Sequence, residues 1–147
     1  VDFALSPEMI SEAAYVNRYL IEDQIVPVVS KDFPAASISD WQNLKRCDWI
    51  LFHSGSAIRK ISNQIFRDTE RNFVPRVVME FRSVPSLVRL LEEGVGVGFI
   101  SKLSLSNKLM VIPLTHLHRK RRFFISYKKK HEQLAGVIET VLRCGGG

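Results

Sequence analysis

The stretch Ser83-Val84-Pro85-Ser86-Leu87-Val88-Arg89-Leu90-Leu91-Glu92-Glu93-Gly94-Val95-Gly96-Val97-Gly98-Phe99-Ile100-Ser101 constrains the fold more than any other. It reads as a capped helix that stops on glycine and passes directly into a buried strand. Ser83 can accept a hydrogen bond from a first-turn amide, and Pro85 sits where helix amides have no intrahelical partner. Leu87, Leu90 and Leu91 share one face, Glu92 and Glu93 face water, and Gly94 can take the left-handed conformation that ends a helix. Gly96 and Gly98 then remove side chains beside the apolar Val97, Phe99 and Ile100. Such glycines admit either a neighbouring backbone, as plain helix-to-sheet packing needs, or a ligand.

The flanking sequence repeats this alternation. Strands are predicted for Val1 to Leu5 and Tyr15 to Ile21, with a short helical turn at Glu8 to Ala13 between them. Asp23 to Val29 is rich in β-branched residues but contains Pro27, which has no N–H to donate, so it is expected at a sheet edge or as a crossing between lobes. Lys31 to Pro34 reads as a turn, Ser39 to Leu44 as a short capped helix, and Trp49 to Phe52 as a strand. His53-Ser54-Gly55-Ser56 joins that strand to a helix through about residue 68, with Ile58, Ile61 and Ile65 at helical spacing. Arg76 to Phe81 is a further strand, so the middle of the chain runs βαβαβ with short connections, which argues for a largely parallel sheet. Leu109 to Leu114 and Arg122 to Tyr127 complete the strands, and Leu134, Val137, Ile138, Val141 and Leu142 mark a final amphipathic helix.

Composition excludes several classes of protein. A chain of 147 residues that is 46% hydrophobic can bury one core or two small lobes and is not a disordered segment. No run approaches the roughly 18 apolar residues of a membrane span, and the first residues lack a basic region followed by a hydrophobic one. A cytoplasmic protein without membrane contact is the expectation. Cys47 and Cys144 are far apart, with no CxxC and no nearby histidine cluster, and Asp2, Glu22, Asp23 and Asp48 lack ligand spacing. Neither a disulfide framework nor a metal or cofactor is therefore expected. His116, His118 and His131 sit in a basic region, and no acidic residue is placed to orient His53, so catalysis is not expected.

The formal charge is +6, and seven of the 21 Lys and Arg lie between Arg119 and Lys130. There Phe123, Ile125 and Tyr127 alternate with Arg122, Phe124 and Ser126. That pattern fits a half-buried strand with solvated ends, or a contact with nucleic acid. Ser54, Gly55 and Ser56 stand where a strand delivers the chain to a helix N-terminus, whose amides and dipole attract an anion. Either serine could instead simply cap the helix.

Taken in order, Pro27-Val28-Val29-Ser30-Lys31-Asp32-Phe33-Pro34, Ile38-Ser39-Asp40-Trp41, the His53-Ser54-Gly55-Ser56 turn and Leu90-Leu91-Glu92-Glu93-Gly94-Val95-Gly96-Val97-Gly98-Phe99 resemble the effector domain of LysR-type transcriptional regulators. The resemblance runs through nearly the whole chain. It implies an α/β, two-lobe, periplasmic-binding-protein-like (type 2) domain with mixed, mainly parallel sheets. Residues 1–27 and 113–144 would form the first lobe, incomplete at its N-terminus, residues 28–112 the second, and 145–147 a tail. Pro27, Val28, Val29, Ile112 and Pro113 would be the hinge.

It further implies a small-molecule inducer, a carboxylate or another anion, in an interlobe cleft. Ser54, Gly55 and Ser56 would line one wall with His53 beside them, and Ser6 the other. DNA would be reached only through an N-terminal winged helix-turn-helix that these residues do not include. The full-length protein would be a homo-oligomer, with Ile58 to Phe66 and Arg76 to Phe81 at the interface. A solute-binding receptor of a transport system shares the fold and is the alternative.

Overall fold

The computed structural model describes residues 3–6, 9–11, 14–129 and 132–145. Its strands are β1 (Phe3–Ser6), β2 (Tyr15–Ser30), β3 (Asp48–Phe52), β4 (Arg76–Phe81), β5 (Gly98–Ser101), β6 (Leu109–Val111) and β7 (Arg119–Lys128). The α-helices are α1 (Trp41–Leu44), α2 (Ala57–Thr69), α3 (Val84–Glu92) and α4 (Glu132–Gly145). Two compact units result, one of residues Gln24–Arg119 and the other of Val1–Asp23 with Lys120–Gly147.

In the Gln24–Arg119 unit β3 is the centre of packing. It pairs in parallel with β4 from Asp48 opposite Arg76 to Phe52 opposite Phe81, with a register shift after Trp49. Along its other edge Ile50 N donates to Val97 O at 2.8 Å and Val97 N to Asp48 O at 2.9 Å. This approach explains the glycines, since a Cβ on Gly96 would lie 2.5 Å from Asp48 O and one on Gly98 2.9 Å from Ile50 O. Of the two readings of those glycines, backbone packing is the one observed.

Successive β3 side chains point to opposite faces, and both faces are covered. Trp49 and Leu51 pack with Ile65 and Phe66 of α2, whereas Ile50 and Phe52 pack with Leu87 and Leu91 of α3. The α3 signals hold as predicted: Ser83 Oγ accepts from Ser86 N, and Gly94 has φ 77°.

The two segments predicted around residue 22 form one sixteen-residue strand, β2. Pro27 lies in its interior, which corrects the expectation of an edge: Val28 is paired with Gly98 of β5 on one side and Val111 of β6 on the other. The missing proline donor is replaced. Pro27 O accepts from Ile112 N at 2.9 Å, and Ile112 O, with no proline N–H to receive, accepts from His118 Nε2 at 2.8 Å.

These bonds fix Pro27, Val28, Val29 and Ile112 within the Gln24–Arg119 unit, and Pro113 follows them on its surface. The chain passes between units at Asp23–Gln24 and Arg119–Lys120, whereas the sequence reading put the passages at 27/28 and 112/113. Sheets of both kinds are present, as expected, but their balance differs. Among the described pairings, the parallel ones are β3 with β4 and the Trp49–Val97 bridge, and the registered pairs β1–β7, β2–β5 and β2–β6 are antiparallel.

In the other unit β1 runs antiparallel to β7, from Phe3 opposite Tyr127 to Ser6 opposite Phe124. Ile125, Tyr127 and Ala135 of α4 form its buried centre, with Val16 and Ile138 against them. Met9 to Ser11, within the predicted helical turn, are irregular, and Glu8, Glu12 and Ala13 lie outside the described residues. Asn17 replaces helical bonding there, since its Oδ1 accepts from Ile10 N at 2.8 Å and its Nδ2 donates to Ile10 O at 2.7 Å. Gly145, the first residue of the expected tail, is the last residue of α4, and Gly146 and Gly147 lie outside the described residues.

The basic strand divides its charges by position. Arg121 turns inward, with Nε 3.1 Å from the buried Asp23 carboxylate and its guanidinium 4.6 Å above the Phe123 ring. Lys120 and Arg122 turn outward, each 3.8 Å from Glu22. No helix among the described residues is long and apolar enough to cross a membrane.

Candidate functional site

β3 carries the chain into residues 53–56, and α2 carries it out. His53 N donates to Phe81 O at 2.8 Å, which ties the start of the turn to the end of β4. Ser56 N closes the turn on His53 O at 3.0 Å. The His53 ring folds back over it, and its Nδ1 accepts from Gly55 N at 3.2 Å. A Cβ on Gly55 would lie 3.2 Å from the His53 ring, so glycine leaves room for this arrangement. His53 therefore shapes the turn.

Ser56 is the helix cap: its Oγ accepts from Ile58 N at 3.2 Å and from Arg59 N at 3.4 Å. For Ser56 the capping reading is the one seen. Ser54 and Gly55 are exposed on the turn. Among the described hydrogen bonds, the amides of Ser54 and Ala57 have no partner within the chain. They stand at the N-terminus of a thirteen-residue helix with no acidic residue in its first turn. Unpaired amides, the positive helix end and small side chains together suit an anion.

Arg59 is the residue that sequence reasoning missed. Its Nη1 donates to Phe52 O at 2.8 Å and to Glu80 Oε1 at 3.0 Å, and its Nε donates to Asn63 Oδ1 at 3.1 Å. One side chain thus joins the end of β3, the first turn of α2 and the exposed edge strand β4. A cation is unfavourable in a first helical turn unless something else holds it, and that was the available signal.

Of the residues expected at a binding site, His53, Ser54, Gly55 and Ser56 are brought together. Ser6 closes β1 opposite Phe124, in the other unit. Among the described residues no group of His, Cys, Asp or Glu is arranged to hold a metal ion.

At the far end of α2, Asp68 binds the segment that leaves this unit. Gln64 Nε2 donates to its Oδ1 at 2.8 Å and Arg119 Nη2 to its Oδ2 at 3.1 Å. The Gln64 bond first, and then the Arg119 bond, hold the carboxyl below its ordinary value of 3.8. A lowered folded-state pKa stabilises the fold above the unfolded value, and that contribution is lost as pH falls through the folded one. The stability difference between the natural chain and Asp68→Asn is therefore expected to be full near neutrality and to shrink below about pH 4, in chemical unfolding followed across pH.

Comparison with known proteins extends these observations. The family model described as LysR substrate binding domain matches residues 1–143. A curated relative, "Probable RuBisCO transcriptional regulator" of Cyanophora paradoxa, is 28% identical over 107 residues, covering 70% of this chain and 32% of the relative. The chain thus spans about a third of that relative's length.

Among solved structures, the regulatory domain of CcmR from Synechocystis PCC6803 in complex with 2-PG superposes with a TM-score of 0.75 at 19% identity, over 95% of this chain and 73% of that one. Full-length HypT from Salmonella typhimurium, a hypochlorite-specific LysR-type transcriptional regulator, gives 0.72 at 15% identity, over 97% and 50%. The effector binding domain of QuiR in complex with shikimate gives 0.66 at 20% identity, over 88% and 63%. These likenesses carry the periplasmic-binding-protein-like fold, and the family match covers nearly every residue from which the two units are built. The chain belongs to the LysR substrate-binding domain family.

Proposed function

We propose that this chain is the effector-sensing part of a LysR-type transcriptional regulator and that it captures a small anion at the Ser54–Ala57 turn. The observation that carries the reading is the pair of unpartnered amides, Ser54 N and Ala57 N, at the start of α2. The solved complexes with 2-PG and with shikimate support a small-molecule ligand for the fold. In this reading the chain makes and breaks no bond. It acts in the cytoplasm within a homo-oligomer, and DNA is contacted by a separate winged helix-turn-helix.

An effector can shift a regulator only by binding its two states unequally. Ser6 is proposed as the contact from the other unit. Bending is proposed at the two chain passages, Asp23–Gln24 and Arg119–Lys120, rather than within the hydrogen-bonded Pro27–Val29 and Ile112 segments.

Ala57→Pro tests the turn without disturbing the helix. Ala57 is the first helical residue, where proline is tolerated, and Ser56 already has the φ −74° and ψ 141° that a following proline demands. The substitution removes one N–H and little else. A charge-assisted hydrogen bond contributes about 1.5–3 kcal/mol, so binding of inorganic phosphate, followed by the Ser54 amide resonance, should weaken at least about tenfold. The urea midpoint should stay within about 0.5 kcal/mol of the natural chain's. Equal phosphate affinity in the two proteins would place the anion elsewhere.

A further inference from the structure

A hollow lies at the opposite end of the β3–β4 ladder from the Ser54 turn. Asp48 and Arg76 are the first paired residues of that ladder, whereas Phe52 and Phe81 at its end lead to the turn. Asp48 and Arg76 line a cavity of about 420 Å³ together with Phe33, Arg46, Cys47 and Val95. This volume falls in the range of about 300–1,000 Å³ found for small-molecule sites.

The chemistry of its wall is specific. Asp48 Oδ1 is ion-paired with Arg76 through Nε. The Arg76 Nη2 reaches Arg46 O at a long 3.5 Å, so the outer edge of the guanidinium retains donors. The Arg46 side chain has no partner among the described residues. Two guanidinium groups against one carboxylate leave an excess positive charge, and a planar guanidinium matches a carboxylate through two parallel N–H bonds. Phe33 and the exposed Val95 supply an apolar wall beside it.

We propose that this hollow binds a small aryl carboxylate, its acid group on Arg46 and Arg76 and its ring against Phe33 and Val95. The site is independent of the anion proposed at α2, because the two share no residue.

Cys47 provides the readout. Its thiol lines the cavity and donates to Ser37 O at 3.6 Å and Asn43 O at 3.8 Å. Burial first, and then Asp48, push its pKa up, with Arg76 opposing, so alkylation is already slow. A carboxylate in the hollow covers the thiol and slows it further.

The experiment treats the intact chain with N-ethylmaleimide at about pH 8.5, where an ordinary thiol is substantially ionised. Cys47 is followed by peptide-resolved mass spectrometry, with phenylacetate as probe and phenylacetamide as its neutral counterpart. Phenylacetate should slow Cys47 modification by about tenfold at about 90% occupancy, since protection tracks the free fraction. Phenylacetamide should not, and Arg46→Gln, an exposed position, should abolish the protection. No protection, equal protection by the amide, or protection unchanged in Arg46→Gln would each overturn the assignment.

Discussion

Gly96→Val is expected to destabilise the protein by about 4 kcal/mol, because the new side chain must occupy space held by the β3 backbone. The first carbon alone would sit 2.5 Å from Asp48 O, and the valine methyls lie beyond it. Backbone cannot yield as a flexible side chain can. The strand must retreat, and Val97 N→Asp48 O and Ile50 N→Val97 O stretch with it. Two weakened hydrogen bonds contribute about 1 kcal/mol each, and the remainder comes from strain and poorer packing around buried Val97 and Trp49.

Since a domain of this size is stable by about 5–15 kcal/mol, the loss should show as a large fall in urea midpoint. Gly98→Ala is the milder companion, with its Cβ 2.9 Å from Ile50 O and 3.1 Å from the movable Leu91 methyls. A loss below about 1 kcal/mol for Gly96→Val would show that close backbone approach is not what requires glycine there.

The second large effect concerns Trp49, whose indole is fully buried on one face of β3. It stacks on Phe99 with centroids 5.7 Å apart and planes at 10°, and meets Phe66 edge-on at 4.9 Å. Trp49→Ala should cost about 3–5 kcal/mol, for the lost transfer energy of the ring and the cavity left behind. The indole N–H finds no acceptor among the described residues, so it adds a desolvation cost without a bond in return. Trp49→Phe is consequently expected to lose less than about 2 kcal/mol, because it keeps the aromatic contacts and removes the orphan donor. Thermal or urea unfolding of the two variants side by side checks both numbers. Equal losses would mean that the second ring of the indole, rather than aromatic packing with Phe66 and Phe99, dominates.

Local signals were legible in the sequence. Ser83, Pro85 and Gly94 mark α3 because caps and stops act within a few residues, and the Trp49 to Phe52 run marks a strand covered on both faces. The turn at His53 to Ser56 was legible for the same reason. What failed to appear were pairings between distant residues. Pro27 suggested an edge because the donor that replaces its own belongs to His118, ninety-one residues along the chain, which bonds to Ile112 O. The length of β2 and the antiparallel pairing of β5 and β6 with it are equally non-local. Arg59 escaped notice because its partners, Phe52 O and Glu80, are fixed by the meeting of β3, α2 and β4 rather than by spacing along one helix.

The distribution of the units along the chain has a consequence for how the protein comes into being. Residues Gln24–Arg119 are continuous, whereas the other unit needs both Val1–Asp23 and Lys120–Gly147. During synthesis the continuous unit can close its core as soon as Arg119 leaves the ribosome, while β1 must wait for β7 before its edge is paired. Until then β1 presents unpaired amides and the exposed Leu5 to other nascent chains. Slow translation over the codons for β7 would prolong that interval, and misassembly should begin at β1.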